Sequence, residues 1–478
     1  MSLHEYCALC GVAGDAEALA LVAEGLHAQQ HRGQEAAGIL VRRAGGLEVH
    51  KGLGLVAQVM GGIPEDWRTG GITAAMGHVR YGTFGGSSVL NAQPLLVSIN
   101  GNQTGIAHNG TISNASMLRA DLERQGAIFQ TNSDTEVVLH LMSRNLEASG
   151  HDMGTALEMA LGALEGAFCL LLMTREGMYA VRDPLGFRPL NLGRITGGGW
   201  AVASETIAFP LCCAEYVREI EPGEILFLPF DPGEPSSRRF GARRGLFGES
   251  DRLAQCIFEH VYFARPGSYV FGDSVYEVRL RMGARLAVEA PAACDVVMPV
   301  PDSGMFAAIG YSRQLGIEFD MGFTRNHYVG RTFIDPTTAR RAAMVTRKLQ
   351  PIPEAVKGRR ICVVEDSIVR GTTSRARIKA LREAGASEVH MRVSCPPHRF
   401  ACYFGIDFPE PSQLIATRYS VDEICGLLDL DSLAYLSEEG MLSCVKAHRP
   451  TDYCTACFSG DYRVTPPASG GIPRSCGG

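Results

Sequence analysis

The hydrophobic positions of this chain fall in short runs separated by polar turns, and two of the runs are the most informative. Ile361-Cys-Val-Val364 is four consecutive β-prone residues, which predicts a strand buried on both faces, as in a parallel sheet. Glu365 and Asp366 follow, then a turn rich in Gly, Thr and Ser as far as Ser374. The segment 375–384 predicts a helix stopped by Gly385. Asp295-Val-Val-Met-Pro-Val-Pro301 predicts a second strand of the same kind, ending in the polar turn Asp302-Ser303-Gly304. Helical patterns at 275–290 and 306–315 alternate with these strands, an order that implies a doubly wound α/β domain. Toward the amino terminus, Cys10-Gly11-Val12 begins the first strand-like segment.

Composition narrows the class. The 478 residues are 46% hydrophobic and 20% charged, which describes a soluble globular chain of two or three domains. About the longest apolar run, Gly166-Ala-Phe-Cys-Leu-Leu-Leu-Met173, falls far short of the ~18 residues of a membrane span. The first ten residues lack the basic-then-apolar plan of a signal peptide, so the expected location is cytoplasmic. A formal net charge of −6 supplies no electrostatic reason for nucleic acid or an anionic membrane as partner. In a reducing compartment the 15 cysteines are core thiols, metal ligands or nucleophiles rather than disulfides. Residues 229–250, rich in Gly, Arg, Pro and Ser, read as a domain junction. The expected division is a leader at 1–9, domains at 10–230 and 251–460, and a loose tail at 461–478.

The arrangement strand, acidic pair, hydroxyl-rich turn and helix is how an α/β sheet presents a phosphate to backbone N–H groups and a helix N-terminus. Residues 361–374 closely resemble the signature loop of type I phosphoribosyltransferases. The resemblance implies that Ser367, Arg370, Gly371, Thr372 and Thr373 hold the 5-phosphate of phosphoribosyl pyrophosphate (PRPP), with Asp366 beside the ribose hydroxyls. It also implies that Ser303, Glu365 and Asp366 approach Mg²⁺. Arg331, in the run 324–334, would bind substrate. The basic run 340–348 would close on pyrophosphate and exclude water.

The amino-terminal half carries His31-Arg32-Gly33-Gln34-Glu35, Gly77-His78-Val79-Arg80-Tyr81-Gly82-Thr83, Ala107-His108-Asn109-Gly110 and Asn132-Ser133-Asp134-Thr135-Glu136. Arg182-Asp-Pro-Leu-Gly-Phe-Arg-Pro189 and Ala203-Ser-Glu-Thr206 follow. In this order they resemble class II glutamine amidotransferases, whose glutaminase domain is an N-terminal-nucleophile hydrolase with an αββα sandwich. A cysteine at a free terminus can pass its proton to its own α-amine, whose reference pKa is about 7.7–8.0. The resemblance implies Cys10 as that nucleophile, the Asn109 side chain and Gly110 N–H as oxyanion donors, Arg80 on the substrate carboxylate and Asp134 on its ammonium. Cys10 must then become residue 1 by loss of residues 1–9. Cys7 is the rival start, and Cys10 is preferred because Gly11-Val12 follows it.

Taken together with Tyr262-Phe-Ala-Arg265-Pro266, the two halves resemble the glutamine phosphoribosylpyrophosphate amidotransferases from Cys10 to about Gly460. That resemblance implies conversion of PRPP, glutamine and water to 5-phosphoribosylamine, glutamate and pyrophosphate, the opening step of purine synthesis, with ammonia passed between the sites. Purine nucleotides as inhibitors and a homodimer or homotetramer are implied with it. Glu365, Arg325, His327 and Gly267 depart from the family's usual Asp, Lys, Arg and Asp. Cys256, Cys402, Cys454 and Cys457 stand where iron–sulfur members hold a [4Fe–4S] cluster. By spacing alone a Cys₄ zinc site or four core thiols remain open. A sugar-isomerase type amidotransferase would share Cys10, Arg80, Asn109 and Asp134 but lack the loop 365–374. A PRPP-sensing transcription regulator would need a basic DNA-binding segment and no glutaminase half.

Overall fold

The structure is a computed structural model that describes residues 7–81, 88–231, 233–240, 252–326, 349–406 and 411–466. Thirteen strands build the first domain: β1 (Ala8–Ala13), β2 (Ala36–Arg43), β3 (Gly46–Leu53), β4 (Ala74–Arg80), β5 (Leu95–Ile99), β6 (Asn102–Ile112), β7 (Gly166–Met173), β8 (Gly177–Arg182), β9 (Asn191–Ile195), β10 (Trp200–Ala203), β11 (Ala214–Glu219), β12 (Glu224–Pro229) and β13 (Ser236–Arg239). They form two antiparallel sheets, ordered β11-β9-β10-β1-β4-β2-β3 and β13-β12-β8-β7-β6-β5.

Side chains alternate across each strand, and that period sorts the core into layers. Leu9, Leu40 and Met76 of the first sheet meet Leu171, Met178 and Leu226 of the second in a shared interior. Ala8, Cys10 and Val12 point the other way, beneath Val22 and Leu26 of the helix Ala18–Ala28. On the far side of the second sheet, Ile106, Phe168 and Leu170 pack on Val137, Val138 and Leu157 from the helices Thr135–Asn145 and Met153–Leu161. The result is the expected αββα sandwich. Its limits differ from the sequence-based division at both ends. Ala8 and Leu9 are fully buried members of the central strand, and the second sheet continues into the region expected to be a junction, because β13 at 236–239 pairs with β12.

The second domain is a five-stranded sheet in which every pairing is parallel, ordered Glu318–Phe319, Val296–Pro299, Arg360–Glu365, Glu388–Val393, Ser432–Tyr435. The helix Met305–Leu315 leads leftward from Val296–Pro299, and the helix Thr372–Glu383 leads rightward from Arg360–Glu365. With right-handed crossovers the two helices cover opposite faces. The order therefore reverses between Val296–Pro299 and Arg360–Glu365, the place where open α/β sheets bind ligands. Gly304 lets the two strands' exits approach: a Cβ there would lie 2.4 Å from the Val364 carbonyl oxygen. Residues 461–466, expected to be loose, are packed. Val464 is buried and the Tyr462 hydroxyl donates to the Ala401 carbonyl at 2.7 Å. Among the described residues no helix is long and apolar enough to cross a membrane.

Candidate active site

In the first domain Arg80, Asn109 and Gly110 lie on strands of the two facing sheets, and Asp134 meets the edge of β6. On β4, His78 and Arg80 share the face of Met76, and the His78 ring donates to the His108 carbonyl of the second sheet at 3.0 Å. On β6, Asn109 shares the face of Ala107 and donates to Ser204 Oγ at 3.4 Å. The same oxygen accepts the Leu9 N–H at 3.0 Å, so Ser204 ties the start of β1 to Asn109. The N–H of Gly110 is aimed by its register. Phe168, directly opposite, gives its N–H to Asp183 Oδ2 and its carbonyl to the Asp183 N–H. Gly110 and Phe168 thus exchange no bonds, and the Gly110 N–H faces the open side of β6. The like-facing N–H groups of His108 and Ile112 are taken by Gln93 Oε1 at 2.7 Å and Asp134 Oδ2 at 3.0 Å. Burial opposes a charge on Asp134, but neighbouring His108 and the Ile112 N–H outweigh it and hold the carboxyl below its ordinary range.

Cys10 is not part of this group. Its side chain lies on the opposite face of β1, fully buried, with its sulfur 3.8 Å from that of Cys212. The Cys212 thiol and then burial push its pKa well above the ordinary thiol value, the reverse of what a nucleophile needs. Loss of residues 1–9 would also remove two core residues from the central strand. Cys7, three residues earlier, has the opposite parity and shares the face of Leu9. The register Ala8 to Val79 and Leu9 to His78, carried one step further, sets Cys7 opposite Arg80. Cys7 is half-buried, so the rival start occupies the position that Cys10 was expected to hold.

In the second domain Ser303 and Asp366 meet across the reversal in strand order. The Ser303 and Ser367 hydroxyls both donate to the Asp366 carboxylate, the latter at 2.5 Å. Burial pushes the Asp366 carboxyl up, against the effect of these two hydroxyls. Glu365 is held differently. Arg377 of the following helix pairs with it at 2.6 Å, while burial first, and then Asp366, raise its carboxyl to about 7. Among the described residues no three ligating side chains stand close enough to hold one metal ion. Mg²⁺ ordinarily takes one or two carboxylates together with substrate phosphates, and Asp366 with Ser303 fits that pattern. Glu365, already paired with Arg377, fits it poorly. Gly371 caps the helix Thr372–Glu383 with φ of 75°, and a Cβ there would press on Ile415 at 2.7 Å. Ser367, Arg370, Thr372 and Thr373 lie on the same turn. Arg325 pairs with Asp302, and a Cβ on Gly267 would meet Ile207 of the first domain at 2.8 Å. Arg331, His327 and the basic run 340–348 lie outside the described residues.

The four remaining thiols share one neighbourhood. Cys256 is the register partner of Cys454 in a two-residue parallel ladder, and Cys457 lies on the short helix Ala456–Ser459. Burial raises all four. Cys256 reaches about 12, and the neighbouring thiols add to the rise of Cys454 and Cys457. The Phe404 N–H points at the Cys402 sulfur at 3.4 Å. The four thiols are neighbours but do not close into a ligand set, because among the described residues no three His, Cys, Asp or Glu side chains stand close enough to hold one metal ion.

Sequence reasoning missed how the two domains are joined. Arg32, Glu205, Glu259 and Arg188 are all essentially inaccessible. Arg32 pairs with both Glu205 (2.7 Å) and Glu259, and Arg188 pairs with Glu259 at 3.2 Å. Glu205 also accepts the Arg265 N–H at 2.9 Å and the Ser268 hydroxyl at 2.7 Å. Three of the four charged residues were visible inside quoted motifs, but as isolated charges without partners.

A glutamine amidotransferase domain family matches residues 85–210. Amidophosphoribosyltransferase 2, chloroplastic, of Arabidopsis thaliana is 46% identical over 467 residues, covering 97% of this chain and 80% of that protein. The amidophosphoribosyltransferase of Bacillus subtilis is 43% identical over 467 residues, covering 96% and 94%. Among solved structures, the B. subtilis glutamine PRPP amidotransferase complexed with ADP and GMP superposes with a TM-score of 0.86 at 41% identity, covering 96% of this chain and 98% of that one. A structure described as the allosteric regulatory enzyme of purine biosynthesis gives 0.87 at 42% identity, covering 96% and 97%. With such identity along nearly its whole length, the chain belongs to the amidophosphoribosyltransferase family.

Proposed function

We propose that this chain makes 5-phosphoribosylamine from PRPP and glutamine-derived ammonia, for purine synthesis, with Cys7 as the glutaminase nucleophile. The observation that carries the assignment is the alternation of β1: carried one residue back from Ala8, it sets Cys7 on the face of Leu9 and opposite Arg80, whereas Cys10 points beneath a helix. Removal of residues 1–6 would expose the Cys7 α-amine as its own base. Arg80 would fork onto the glutamine carboxylate, and Asp134, kept ionised, would take the ammonium. The tetrahedral oxyanion would be met by Asn109 Nδ2 and the Gly110 N–H. Water then releases glutamate from the thioester.

At the second site Asp366 would face the ribose as positive charge develops at C1, while the turn 367–373 holds the 5-phosphate. Mg²⁺, when bound through Asp366 and Ser303, would neutralise the departing pyrophosphate. Cys256, Cys402, Cys454 and Cys457 would hold a [4Fe–4S] cluster, and the nucleotides in the B. subtilis complex suggest purine nucleotides as regulators of a dimeric or tetrameric enzyme. The decisive experiment compares two cysteines. Cys7→Ala should abolish synthesis from glutamine and leave synthesis from ammonium salts, whereas Cys10→Ala should keep both. The opposite pattern would return the nucleophile to Cys10, and an intact mass ending residue 1 at Cys10 would do the same.

A further inference from the structure

Arg188 is the penultimate residue of the motif 182–189, which the catalytic chemistry leaves without a role. Its guanidinium reaches out of the glutaminase domain with both ends occupied. Nη1 donates to Glu259 at 3.2 Å, and Nη2 donates to the Phe404 carbonyl at 2.8 Å. Phe404 lies two residues beyond Cys402, and its ring stacks on Phe187, the neighbour of Arg188, at 4.5 Å between centroids. The next residue, Gly405, has φ of 103°, and its backbone runs directly against β6. A Cβ at Gly405 would lie 3.0 Å from Arg188 Nη2, 3.3 Å from the Gly110 Cα and 3.4 Å from the Gly110 carbonyl carbon. Gly110 has no slack on its other side, because a Cβ there would meet the Ala167 carbonyl oxygen at 2.1 Å. Ala167, Phe187 and Phe404 belong to one small apolar cluster at the junction. The backbone of Gly110 is therefore clamped between β7 of its own sheet and a turn supplied by the other domain.

We propose that the Phe404–Gly405 turn, anchored by Arg188, is a positioning device of the glutaminase site that fixes where the Gly110 N–H points. The proposal rests on the reading of Gly110 as an oxyanion donor. It makes the first half-reaction depend on a segment of the second domain that touches neither substrate. Because an oxyanion donor acts on charge that exists only in the transition state, displacing it by a few tenths of an ångström should lower kcat while leaving KM in place.

The test is Gly405→Ala in the full-length enzyme. Glutamine-dependent kcat should fall about tenfold, with KM for glutamine and ammonia-dependent kcat each changed by less than about twofold. Arg188→Lys keeps the charge beside Glu259 but cannot hold both partners, and should shift the same ratio in the same direction. Gly385→Ala, at φ of 97° in a turn remote from Gly110, controls for backbone strain and should leave the ratio of the two activities unchanged. Equal loss of both activities in Gly405→Ala, a rise in KM matching the fall in kcat, or the same ratio change in Gly385→Ala would overturn the proposal. A wild-type enzyme unable to use glutamine would instead sink the function assigned above.

Discussion

Two adjacent carboxylates show how much a single position decides. Glu365 ends the central strand beneath Arg377, and burial holds its carboxyl at about 7. Asp366, one residue on, leaves the strand and meets the hydroxyls of Ser303 and Ser367 at the open edge of the sheet. On that ground the ribosyl role is proposed for the second. Asp366→Asn keeps the shape and removes the charge, so synthesis should slow on the order of a hundredfold with either nitrogen source. Glutamine hydrolysis at the other site should continue. Steady-state rates with glutamine and with ammonium chloride check this, and a loss confined to glutamine would remove Asp366 from the ribosyl site.

At the scale of elements, the charged part of the joint is built on one π-helical turn, Glu259–Phe263, and the loop that follows it. Its charges answer those of the glutaminase domain, with Glu205 at the centre. Burial opposes ionisation of Glu205, but His31 and Arg32 outweigh it and hold the carboxyl at about 2 rather than 4.5. A lowered carboxyl stabilises the fold fully above its unfolded value, and that stability is lost as pH falls through the folded value. The window is therefore about pH 4.5 down to 2, and the shift corresponds to about 3 kcal/mol. Glu205→Gln should be less stable than wild type near neutrality, and the gap should close as pH falls through that window. Urea unfolding midpoints measured between pH 6 and 2.5 check it, and a gap constant with pH would contradict the assignment.

For the whole molecule, the four thiols stand on three distant parts of the chain: the entry to the second domain, the turn that backs Gly110, and the segment before Val464. A cluster held there would act as a crosslink worth several kcal/mol, as other structural metal sites are. Purified without oxygen, the protein should be brown with iron and sulfide. Cys457→Ser should be colourless and cut by proteases near its carboxyl terminus. Cys425→Ser, at a thiol outside the group, should keep the colour. Zinc, or no metal, in the anaerobic wild type would refute the cluster and leave the two-site chemistry standing.

Both folds were legible in order of residues, because strand, turn and helix signals act over a few positions. The run 361–364 followed by acids, hydroxyls and a helix could be placed at the carboxyl edge of a parallel sheet before any coordinates. The motifs around Arg80, Asn109, Gly110 and Asp134 likewise pointed, by resemblance, to one site. The choice of nucleophile proposed above was not legible. Cys7 directly precedes β1 and Cys10 lies three residues on, so alternation turns them opposite ways, and nothing local says which face looks between the sheets. That is decided by what packs above and below β1, which is a property of the assembled sandwich. The same holds for Arg188, Glu259 and Gly405. Each is an ordinary residue until folding brings it against a partner from the other domain, and only the tertiary structure makes that contact.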